Sequence, residues 1–120
     1  MATSVIPNPN PEVITIPLSI NSQGATGSGE VKVCGRVATI SASIRPNTTG
    51  TELALAWLQG GSSGMYANYA PSSSVWLSCD FYTTQTNEAE AKMGSDTNLR
   101  INTPIKDVDL KISGSWITKG

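Results

Sequence analysis

From Val13 to Ile20 the chain alternates strictly, with Ile14, Ile16, Leu18 and Ile20 on one side and Thr15, Pro17 and Ser19 on the other. A period of two marks a β-strand with one buried face, and a helix cannot present it. The same alternation returns at Ala38, Ile40, Ala42 and Ile44, at Leu53, Leu55 and Trp57, and at Val75, Leu77, Cys79 and Phe81. It closes with Val108, Leu110, Ile112, Gly114 and Trp116. Val31 and Val33 open a further strand whose phase changes after Gly35, so a bulge or a turn falls there. Pro17 removes one ladder donor and places the first strand at an edge or near a bulge.

The connecting segments supply the punctuation. Residues 21–29 are rich in Gly and Ser and read as a flexible loop, 46–50 as a turn, and 60–64 as another loop. Residues 65–69 read as a short aromatic strand and 99–101 as a brief one. Residues 88–93 alternate but favour helix, so strand and short helix both stay open there. Seven or eight short strands in 120 residues predict an all-β fold, one β-sandwich or jelly-roll-like domain over residues 13–120. Any helix is a single short one between Thr86 and Gly94.

Ahead of it, residues 1–12 form an arm. Ile6, Pro7, Asn8, Pro9, Asn10 and Pro11 alternate prolines, which hold a chain extended and leave few donors for a sheet. Two readings stand: a frayed terminus, or an arm that docks on a neighbouring subunit. This start has neither a basic nor an apolar region, so it is no secretory signal. The chain is expected to be made in the cytoplasm, unless Met1 replaces a removed signal peptide.

Function classes fall away by composition. Eight basic and nine acidic residues leave a net charge of −1, which gives no footprint for nucleic acid. No apolar run approaches a membrane span, so membrane insertion is not expected. The chain has no histidine, which removes Ser-His and Cys-His nucleophilic systems and His-containing zinc sites. Asp107 and Asp109 read as a solvated strand face. No catalytic residue, metal site or cofactor is indicated. Cys34 and Cys79 are either two buried free thiols or one bridge between strands.

The aromatic residues are the remaining candidates. Trp57 and Trp116 match the apolar phase of their strands and read as core. Trp76 and Tyr82 fall on the opposite phase, beside Ser78 and Asp80. They form either an exposed patch able to stack on sugar rings or the anchors of a subunit interface. Tyr66 and Tyr69 flank the Gly-rich loop and fit either surface.

The order of features from Glu30 onward resembles a family. Val31 to Ile44, broken at Gly35-Arg36, looks like the strand, Gly-basic-Val, strand opening of the terminal domains of bacteriophage tail fibres and receptor-binding proteins. Pro46-Asn47-Thr48-Thr49 resembles that family's polar turn. Leu53 to Gly60, followed by Pro71-Ser72-Ser73-Ser74-Val75, resembles its strand and Pro-Ser segment. The ending with Trp116 resembles its closing strand. With Ile14 to Gly24 as the first strand and loop, the likeness covers about residues 13–118. It implies a non-enzymatic jelly-roll-like homotrimer on the virion surface, bound to other virion proteins such as the major capsid or tail protein. Because only about a dozen residues precede the domain, the expectation leans to a head decoration (cement) subunit. The alternatives are a tail-fibre domain binding host surface carbohydrate, and a free-standing carbohydrate-binding module or adhesin.

Overall fold

A computed structural model describes residues 12–81 and 90–120. These residues form eight strands: β1 (Val13–Ile20), β2 (Ala25–Cys34), β3 (Val37–Pro46), β4 (Glu52–Leu58), β5 (Val75–Phe81), β6 (Glu90–Met93), β7 (Asn98–Asn102) and β8 (Leu110–Ile117). The ambiguous 88–93 segment supplies a strand, β6, whose Ala91 and Met93 are buried. Among the described residues helix is limited to two 3₁₀ turns, Gly61–Ser63 and Ala67–Tyr69. The second of these replaces the aromatic strand expected over 65–69.

All pairings are antiparallel, and the strands close into one barrel in the order β1-β2-β3-β8-β5-β6-β7-β4. The order contains two Greek keys, 4-1-2-3 and 8-5-6-7, in each of which the fourth strand returns beside the first. The all-β expectation holds, but a closed ring stands where a two-sheet sandwich was expected. Periodicity tells which face of a strand is buried and is silent on whether the outer strands find partners.

Two strands turn the corners of the ring. β1 pairs with β2 through Pro17 and with β4 from Leu18 onward. β5 pairs with β6 through Leu77 and with β8 from Ser78 onward. Strands that switch partners midway are how packed sheets make corners. Pro17 sits at the first switch, where a missing N–H costs no continuous ladder, and its carbonyl accepts a bond from the Gln59 N–H at 3.2 Å.

Residues 21–29, expected to be a loop, are largely strand, because β2 starts at Ala25 and pairs with β3 over ten residues. Gly27 and Gly29 are what permit it. At Gly27, with φ 143°, an added Cβ would lie 2.1 Å from the Ser43 carbonyl oxygen; at Gly29 it would lie 2.6 Å from the Ala42 Cβ. The two strands wind about each other more closely than side chains allow. Gly35, with φ 62°, begins the two-residue turn into β3 and resolves the phase change.

The core is aliphatic. Ile40, Ile44, Leu55, Ile101, Leu110 and Ile112 are all at most 1% exposed, and Trp116 joins them at 4%. Each such side chain contributes roughly 1.5–3 kcal/mol through burial. The Trp116 indole donates to the Tyr69 carbonyl at 2.7 Å, which satisfies its one donor. Trp57 departs from expectation. A bulge between Ala54 and Ala56 lets both Leu55 and Ala56 point inward, so Trp57 is rotated to the outer face and is half-buried.

Candidate functional site

Several charged side chains of the barrel are engaged in surface pairs. Arg45 lies 3.9 Å from Asp107 and 3.6 Å from Asp109, and Lys32 lies 3.8 Å from Glu30. Arg100 grips Asp96 with two bonds of 3.0 and 2.5 Å and lies 3.8 Å from Glu52, which also faces Lys92 at 3.9 Å. The Arg100 guanidinium, together with the Asn98 N–H, holds the Asp96 carboxyl down to about 2. Among the described residues no three Cys, Asp or Glu side chains converge as a metal site would require.

The two cysteines are free. β3 and β8 lie between their strands, a separation of roughly 14 Å along the sheet against the 4–7 Å a disulfide spans. Cys34 points outward and is exposed, which corrects the expectation that both thiols are buried. The short apolar run before it ends on the solvent phase of β2. Cys79 is half-buried; burial, with the Asp80 charge, pushes its thiol up to about 11, so it is protonated and inert at neutral pH.

Among the described residues, Trp76 stands apart from Tyr66 and Tyr69. Trp76 is 62% exposed on the outer face of β5, with the Lys92 ammonium 5.4 Å from its ring centroid. Register places Trp76, Lys92, Arg100 and Ala54 in one row across β5, β6, β7 and β4. Trp57 stands at the far side of this row, opposite Asn98. Tyr66 and Tyr69 pair with each other instead, ring centroids 6.3 Å apart at 41°, and pack on the core beside Trp116. Tyr82 and the arm, Ile6, Pro7, Asn8, Pro9, Asn10 and Pro11, lie outside the described residues.

A second surface was not anticipated. Val13 pairs with Cys34, Cys34 with Val37, and Val37 with Ile117, so four adjacent strands place these residues in one row. All four face outward; Val13 is 54% exposed, Val37 46% and Ile117 59%. Directly opposed side chains lie about 5 Å apart, so the row is continuous and roughly 14 Å long. The next rows along the same face are Thr15, Lys32, Thr39 and Ser115, then Pro17, Glu30, Ser41 and Ser113. An apolar stripe thus borders a hydroxyl-rich surface. Between β2 and β3 that surface dips into a shallow depression of about 360 Å³, lined by Ser28, Gly29, Glu30, Ser41, Ala42 and Ser43. Small ligands are usually held in enclosed, largely apolar clefts, which this open polar dip is not.

The sequence did carry a signal for the stripe. Each member is one residue out of phase with its strand's buried set: Val13 beside Ile14, Cys34 after Val33, Val37 before Ala38, Ile117 after Trp116. Each also stands at a strand end, where a single exposed apolar residue is ordinary.

Compared with known proteins, the chain matches no family model and no curated protein. Its class is therefore stated from the fold itself: an antiparallel eight-stranded barrel of two Greek keys.

Proposed function

We propose that this barrel is a non-enzymatic structural protein of a bacteriophage particle surface, acting as a homotrimer and serving as a head decoration (cement) subunit. The exposed apolar row Val13, Cys34, Val37 and Ile117 is the observation that carries the reading. Contiguous apolar side chains on an otherwise hydroxylated surface mark contact with protein. The likeness of residues 13–118 to phage surface domains supplies the setting, the virion exterior. With β1 and β5 each turning a corner, the barrel is read as a flattened, jelly-roll-like shell of two facing sheets.

The reading is tested by adding purified protein to particles stripped of it and sedimenting them. The full chain is expected to co-sediment in multiples of three. Deleting residues 1–11 is expected to leave melting nearly unchanged and to weaken incorporation at least tenfold. Equal incorporation of the shortened chain would make the arm a frayed terminus and favour receptor binding.

One observation favours that second reading, a tail-fibre-type domain binding host surface carbohydrate. Trp76 presents an exposed ring beside Lys92, with Arg100 and Asn98 farther along the same face. A flat indole bordered by hydrogen-bonding groups suits the stacking of a sugar ring. Trp76→Ala abolishing attachment to host cells, with particle incorporation intact, would select it.

A further inference from the structure

We propose that the outer face of β5, β6, β7 and β4 binds a neutral oligosaccharide laid across the strands, its end units stacked on Trp76 and Trp57 and its middle units bonded to Lys92, Arg100 and Asn98. The inference rests on the carbohydrate reading above and names the class of glycan, its length and a second stacking ring.

Strand register sets the length. Trp76 pairs with Lys92, Lys92 with Arg100 and Arg100 with Ala54, while Trp57 stands one row away, opposite Asn98. Three interstrand steps and one two-residue step along β7 separate the two indoles by roughly 16 Å. A pyranose unit spans about one interstrand step, roughly 5 Å, so units stacked on both indoles are the first and fourth of a chain. Ala54 brings only a methyl group into the path beside Trp57. Lys92 covers Trp76 loosely: its ammonium lies 5.4 Å from the ring centroid and 3.9 Å from a Glu52 carboxylate oxygen. A cation over an exposed ring is weakly held, and a sugar that takes the ring leaves the ammonium its carboxylate partner.

Charge selects the class. On β4, β6, β7 and the turn before β7, Glu52, Glu90 and Asp96 stand against Lys92 and Arg100, so the face has no surplus of cations to hold an acidic glycan. A protein laid there would have to immobilise these long side chains and strip their water. Sugar hydroxyls replace that water in kind. They donate to the carboxylates of Glu52 and Asp96 and accept from Lys92 and from Arg100, whose guanidinium has donors beyond the two it gives Asp96. The Asn98 amide both donates and accepts. Asp96 already holds Arg100 at 3.0 Å and Asn98 at 3.2 Å, so these two side chains have little freedom left to lose on binding. The C–H faces of the end units cover the apolar faces of the indoles.

The full chain is titrated on immobilised neutral gluco-, galacto- and manno-oligosaccharides and on uronic acid oligosaccharides, each from one to six units long. Binding to a neutral series is expected, tightening at least tenfold from two units to four and levelling beyond. Trp57→Leu is expected to remove that gain and to leave binding of two units within about twofold. Trp76→Ala is expected to weaken both at least tenfold. The length series uses the unaltered chain, so it decides the question even where Trp57→Leu, at a half-buried position, loosens the fold. Neutral binding no tighter for four units than for two overturns the span and leaves the carbohydrate reading standing. Binding confined to the acidic series overturns the neutral class and likewise leaves that reading standing. Neutral binding indifferent to Trp76→Ala places the glycan elsewhere and overturns the inference. Binding to neither series overturns both.

Discussion

The two outer faces of the barrel are built from different materials. Over β1, β2, β3 and β8 the outward residues include Thr15, Thr39, Ser41, Ser113 and Ser115, interspersed with Glu30, Lys32 and Lys111 and bordered by the apolar row. Over β4, β7 and β6 they are Glu52, Glu90, Lys92, Arg100 and Asn102, with Trp76 next in line on β5. Short hydroxyl side chains lose little rotamer freedom and need no charge desolvated when another protein covers them. Long charged side chains carry both costs. The same barrel therefore offers one face suited to being covered and one suited to water or a polar ligand.

The largest expected effect tests how the first face is wound. Gly27→Ala forces a side chain into the Ser43 carbonyl at a φ that L residues rarely adopt. It is expected to cost about 3 kcal/mol or more, read as a lower denaturant midpoint. A change under 1 kcal/mol would mean that β2 and β3 are not so closely coiled, and the face would lose its shape.

The next effect is on association. Val37→Asp is expected to weaken self-association at least tenfold, or about 1.4 kcal/mol, with a melting shift within the ±0.5 kcal/mol of ordinary surface changes. Trp76→Ala is expected to leave association unchanged. The reverse pattern, measured by sedimentation across a concentration series, would exchange the roles of the two faces.

The smallest effect sharpens the charged face. Asp96 is held at about 2 against an ordinary 3.8, so its carboxylate stabilises the fold above about pH 4 and loses that contribution as pH falls toward 2. Because the side chain is 43% exposed, screening keeps the effect below about 1 kcal/mol. Asp96→Asn is expected to lower stability at pH 7 by that amount and to flatten acid unfolding between pH 4 and 2. An unchanged acid limb would show that the Arg100 pair is idle.

Alternation in the sequence was enough to locate β1, most of β3, β5 and β8, since a half-buried strand needs a period of two wherever it sits. The same rule misread Trp57 because a bulge shifts phase by one residue without any Gly or Pro to announce it. It misread residues 25–29 because glycines that accommodate close strand winding look, in sequence, like glycines of a loop. Trp76 was legible as an outward aromatic, whereas its Lys92 neighbour comes from β6, sixteen positions on, and needed the pairing register.

What the sequence by itself determined is local: strand character, the buried phase of most strands, and the absence of histidine chemistry. Each follows from the covalent properties of a few neighbouring residues. Closure of the ring, the corners at Pro17 and Leu77, the separation of Cys34 from Cys79 and the assembly of Val13, Cys34, Val37 and Ile117 into one row were decided by tertiary structure. Those four residues are spread over more than a hundred positions, and only the register of three strand pairs brings them side by side. Register is fixed by the whole core packing at once, which no single segment encodes.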